Sequence, residues 1–110
     1  MIYISLRLTG NKYCGCIFLN EKMISHEFNC VCGKNFGSMH TSEVRQKMFE
    51  ILSYIDINKD SIKIAKKRGC IPDIYISCFT YDEDQISLNF MEDDIRALND
   101  KGIGITLDIF

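Results

Sequence analysis

Six cysteines are the first side chains with chemistry to offer. Four of them form two C-x-C pairs, Cys14-Gly15-Cys16 and Cys30-Val31-Cys32. Residues i and i+2 of a strand point the same way. Two paired strands could therefore bring these four sulfurs together, and four thiolates are a recognised zinc set. Structural zinc sites, however, commonly space their cysteines C-x₂-C across a glycine turn. The face that carries the pairs also carries Phe18, Ile24 and Phe28, so the thiols read as small core hydrophobes. A zinc or redox site at Cys14, Cys16, Cys30 and Cys32 is the alternative. The run Cys30 to Phe36 echoes a two-cysteine, two-histidine finger, but it is one residue short between the cysteines and no second histidine follows His40.

A nucleophilic thiol needs a base beside it. His26 and His40 are the only histidines. His26 shares a face with Phe28 and Cys30 and reads as a packing residue, and His40 stands at the entry of a helix. Carboxylates gather at Asp82, Glu83 and Asp84 and again at Glu92, Asp93 and Asp94. The second group suits the positive end of a helix dipole. The first is a solvated turn or an acidic surface that meets a basic partner, where such a field speeds association. Lys59, Lys63, Lys66, Lys67 and Arg68 form a basic run without interleaved aromatics, which reads as a solvated face. Gly102-Ile103-Gly104 precedes a strand, not a helix, so it is no dinucleotide fingerprint. No constellation for catalysis stands out, and a non-enzymatic protein without a cofactor is expected.

The elements that must carry these residues follow from periodicity. Ile2, Ile4, Leu6 and Leu8 alternate with polar residues and predict a first strand with a clean inner face. Tyr13 to Leu19 and Ile24 to Cys32 predict two more strands around a turn near Asn20-Glu21-Lys22, and Gly33 to Met39 a loop. Thr41 or Ser42 should cap a helix whose core stripe is Val44, Met48, Ile51, Leu52 and Ile55. A shorter helix, Ser61 to Arg68, should start at an Asp60 cap and stop at Gly69. Ile74 to Thr80 predicts a strand with Pro72 at its start, and Ile86 to Leu88 a short one. The last helix should be capped by Asn89 and Glu92, bury Met91, Ile95 and Leu98, and end at Gly102. Ile103, Ile105, Leu107 and Ile109 then predict a closing strand with one buried face, tied into the sheet. The expectation is a single α+β domain over 1–110, in the order β-β-β-α-α-β-β-α-β. Five or six strands should form an antiparallel or mixed sheet, with two or three helices on one face.

With 46% hydrophobic residues the chain can build a core without staples. Its formal charge of −2 argues against nucleic acid as the partner. The alternating start shows no signal peptide, and no run of apolar residues is long enough to span a membrane. A cytoplasmic protein with reduced thiols is expected.

The opening strand Ile4 to Gly10, Ile86-Ser87-Leu88, the helix through Ile95 and Leu98, Lys101-Gly102 and Leu107-Asp108-Ile109-Phe110 together resemble a bacterial family of small α+β domains, the domain-of-unknown-function 4279-like type. The chain departs from that pattern in three places. It has a cysteine-bearing hairpin where the family has a helix after the first strand, Phe110 in place of a tyrosine, and no tryptophan in the middle strand. The resemblance implies a non-enzymatic domain. It suggests an immunity protein that binds and neutralises a cognate bacterial toxin, possibly a nuclease, by occlusion. The expected contacts are Asp82, Glu83, Asp84, Glu92 and Asp93 around a more apolar centre.

Overall fold

The computed structural model describes residues 1–10, 21–22, 30–81 and 87–110, with 21–22 and 30–32 described by their backbone alone. Among the described residues the strands are β1 (Ile2–Gly10), β2 (Glu21–Lys22), β3 (Cys30–Met39), β4 (Ile71–Cys78) and β5 (Gly104–Ile109). The helices are α1 (Val44–Ile57), α2 (Lys59–Lys67) and α3 (Glu92–Asp100), and a 3-10 turn, Thr41–Glu43, leads into α1. The strands form one mixed sheet in the order β2-β3-β1-β4-β5, of which β2 is only a two-residue addition. β1 pairs antiparallel with β3 and β4, while β4 and β5 run parallel, with α3 in the crossover between them. The class is the expected α+β.

Period two decides the inner face. Ile2, Ile4, Leu6 and Leu8 are fully buried and lie opposite Cys78, Ile76, Ile74 and Pro72 of β4. Against them α1 sets Val44, Met48, Ile51 and Ile55, spaced to form one helical stripe and each at most 1% exposed. Ile62 and Ala65 of α2, Leu98 of α3 and Ile103 complete the core.

Several local expectations fail. Gly33 to Met39 is strand, not loop. Phe36 and Met39 are buried, and the irregularity the glycines suggested is a bulge: Tyr3 pairs with Ser38, but Ser5 pairs with Asn35. Gly37 takes φ +89° there, a left-handed conformation that glycine adopts without steric cost, and its amide donates to Asn35 Oδ1 at 2.8 Å. Of the strand expected at Ile24 to Cys32, only Cys30–Cys32 is described, as the start of β3; Tyr13 to Leu19 lies outside the described residues. Ser87 and Leu88 form no strand.

The caps differ too. Neither Thr41 nor Ser42 bonds the start of α1, which the 3-10 turn feeds directly. Asp60 lies inside α2 rather than before it. Met91, not Asn89, precedes α3, and Glu92 reaches forward to Arg96 instead of back to a cap. Gly69 and Gly102, at φ +92° and +68°, do end α2 and α3.

Candidate protein-binding surface

The face of the sheet opposite the helices divides into two zones: β4 turns Asp73, Tyr75 and Ser77 toward it, and Phe79 and Tyr81 follow just past the end of the strand. At one end lies a polar lattice. Arg7 donates from Nε to Asp73 Oδ1 at 3.0 Å and from Nη2 to Oδ2 at 2.7 Å, a bidentate pair held by facing positions of β1 and β4. Thr106 of β5 donates its hydroxyl to Asp73 Oδ2 at 2.6 Å. The guanidinium also lies over the Tyr75 ring, 4.2 Å from its centre, and Tyr75 donates its hydroxyl to Asp108 at 2.6 Å.

These contacts set the protonation states. The bond to Asp73 holds the Arg7 cation above its ordinary pKa, against the opposing effect of burial. The bond to Asp108, then burial, raises the Tyr75 phenol. Every group in the lattice has its charge or hydrogen bond answered by a neighbour. It joins three strands, and it offers no carboxylate–base pair poised to move a proton.

At the other end the surface is aromatic. Phe79 meets Tyr3 edge-on at 5.5 Å, stacks on Phe110 at 5.0 Å and lies 6.1 Å from Tyr81. Tyr3 comes from β1, Phe79 and Tyr81 from just past β4, and Phe110 from just past β5. Backbone bonds hold them: the Phe79 amide donates to Met1 O at 2.8 Å and the Phe110 amide to Cys78 O at 2.8 Å. Tyr3, Ser77, Phe79 and Tyr81 line a recess of about 320 Å³. Tyr81 is 77% exposed, Phe110 61% and Tyr3 40%. The terminal strand is therefore tied to the sheet as expected, but of the buried face expected for it only Ile103 is buried. Ile105, Leu107 and Ile109 are 40%, 47% and 69% exposed. Of the stripe expected on α3, only Leu98 is buried; Met91 and Ile95 remain in solvent. β5 thus carries aliphatic side chains on one side and Phe110 on the other.

Of the acidic residues singled out in the sequence, Glu92 and Asp93 are exposed in the first turn of α3. The parallel crossover returns that turn to the end of the sheet where β4 and β5 finish, the aromatic end. Asp82, Glu83 and Asp84 lie outside the described residues, and Tyr81 immediately precedes them in sequence. Cys14 and Cys16 are also outside, and of Cys30 and Cys32 only the backbone is described. Among the described residues no group of three or more histidine, cysteine or carboxylate side chains is arranged to hold a metal ion. Cys70 is buried and disulfide-bonded, whereas the expectation was of reduced thiols, and Cys78 is buried outside any disulfide. Among the described residues no helix is long and apolar enough to cross a membrane.

No protein-family model matches the chain, and neither does a curated protein or a solved structure. The surface is thus read from its own geometry. The sequence reading missed Tyr3, Phe79, Tyr81 and Phe110 as a group. Their signal was present: an aromatic at an outward position of β1, and aromatics where β4 and β5 run out.

Proposed function

We propose that the protein acts by binding another protein, as an immunity protein that neutralises a bacterial toxin by covering its working surface. One observation carries the reading: four aromatic rings, one from β1 and three from just past the ends of β4 and β5, most of them well exposed, gathered at one end of the sheet. Tyrosine and other aromatics dominate the energetics of protein interfaces because they bury much area at small entropic cost. Glu92 and Asp93 flank this end, and carboxylates at the rim of such a patch favour a basic partner such as a nuclease. The aromatic rings would supply affinity and the rim charges the speed of encounter. No turnover is required, and the polar lattice, with its groups mutually satisfied, fits a scaffold rather than an active site.

The test is whether the gene immediately upstream encodes a toxin domain that binds this chain, measured by calorimetry with wild type and with Tyr81→Ala and Phe110→Ala. Each truncation of a central ring should cost about 2 kcal/mol or more, a loss of roughly thirtyfold in affinity. Neutralising Glu92 and Asp93 should mainly slow association and flatten its salt dependence. A tight complex indifferent to both aromatic substitutions would reject this surface.

A further inference from the structure

A second feature lies on the helical side, away from the aromatic end. A cleft of about 450 Å³ runs between α2 and the α3–β5 junction, lined by Ile55, Ile62, Ile103 and by Lys59, Lys63, Lys66, Lys67 and Lys101. Its size falls in the range of small-molecule sites. The three isoleucines close its floor, and the lysine stems supply apolar walls with ammonium groups at the rim.

Two of the five lysines are accounted for locally. Lys101 pairs with Asp56 at 2.7 Å. Lys66 reaches the carbonyl of Lys101 at 3.5 Å, at the negative end of α3, where a cation is favoured. It crosses over Gly102, where an added Cβ would collide with its ammonium group. Among the described residues Lys59, Lys63 and Lys67 have no carboxylate partner. Lys59 moreover begins α2, the helix end that disfavours a cation. A chain of formal charge −2 thus concentrates five of its 13 basic residues around one apolar-floored cleft.

We propose that this cleft binds a small amphipathic anion. An apolar body of alkyl or aromatic character packs on Ile55, Ile62, Ile103 and the lysine methylenes. A carboxylate, sulfonate or phosphate head is held by Lys59, Lys63 and Lys67. Dispersed surface lysines have no such floor, and a purely apolar ligand would leave the ammonium ring unanswered.

The experiment uses the full chain, ¹⁵N-labelled, titrated with 8-anilinonaphthalene-1-sulfonate and followed by amide shifts. One probe molecule should bind per chain, with the largest shifts at Ile62, Lys63, Lys67 and Ile103. Octanoate should displace it, whereas uncharged octyl glucoside should not. Lys63→Gln with Lys67→Gln should weaken binding about tenfold or more, with an unchanged melting curve because both side chains are exposed. Phe110→Ala should leave binding in the cleft untouched, which separates this site from the protein-binding surface. The proposal fails if the shifts map to β5 or the aromatic end, if octyl glucoside competes as well as octanoate, or if the lysine variant binds like wild type. It also fails if phosphatidylglycerol vesicles capture the chain through these lysines while soluble octanoate does not, which would make the face a membrane contact.

Discussion

Removing Arg7 tests whether the polar lattice holds the sheet together. The guanidinium and the Asp73 carboxylate are 19% and 12% exposed. An exposed ion pair contributes less than about 1 kcal/mol, whereas breaking a buried one costs about 3–5 kcal/mol because the remaining charge is stranded. With two direct hydrogen bonds and little solvent, Arg7→Met should fall between these limits, at about 2–3 kcal/mol. For a domain of this size that lowers Tm by roughly 10–20 °C. The decisive measurement is the double-mutant cycle. Asp73→Asn alone strands the arginine, but in the Arg7→Met background it removes a charge that has already lost its partner, and should cost little more. The coupling energy should therefore approach about 2 kcal/mol. Urea unfolding followed by far-ultraviolet circular dichroism reads all four proteins, since there is no tryptophan to report by fluorescence. Strict additivity, with coupling below about 0.5 kcal/mol, would refute the view that the pair acts as one unit.

Further outcomes are expected elsewhere. Gly37→Ala should destabilise by about 1 kcal/mol or more in the same urea assay, because alanine is strained at the positive φ of the bulge. Tyr75 should titrate above the ordinary tyrosine value near 10. Its raised folded pKa makes a stabilising contribution that is complete below the unfolded pKa and lost as pH rises through the folded one. An ultraviolet titration should show a late phenol that is lost in Tyr75→Phe. Leu107→Ser should cost less than about 1 kcal/mol, whereas Leu98→Ala should cost about 2–5 kcal/mol, an ordering that follows from 47% against 2% exposure. Alkylation without reductant should leave the Cys70 sulfur unlabelled, and prior reduction should release it, as read by intact mass.

How legible the fold was depended on how local each signal is. β1 and α1 were read correctly because their apolar residues recur at 2.0 and 3.6 residues within one segment, and nothing distant contradicts the pattern. The second half of β3 was misread because Gly33 and Gly37 look like turn residues, and only pairing with β1 reveals a bulge. The caps failed because Thr41, Asp60 and Asn89 have the right chemistry at positions where the chain enters its helix by another route. The closing strand was legible as a strand, but its burial depended on how much of it the helices cover, which alternation does not encode. The aromatic row and the Arg7 lattice were invisible for the same reason: their members lie up to 107 positions apart in the chain, from Tyr3 to Phe110, and become neighbours only through strand order. The lysine run, by contrast, was legible as charge and not as a cleft, since its isoleucine floor comes partly from α1 and the α3–β5 junction.

The position of β1 between β3 and β4 constrains the protein's birth on the ribosome. Ile2 finds its β4 neighbour only at Cys78. At about 5–20 residues per second, β1 waits several seconds before its second edge can be covered by β4. Throughout that interval β1, with Ile2, Ile4, Leu6 and Leu8 along one face, has an open edge. Until β4 emerges, that uncovered edge is open to pairing with the strands of other chains.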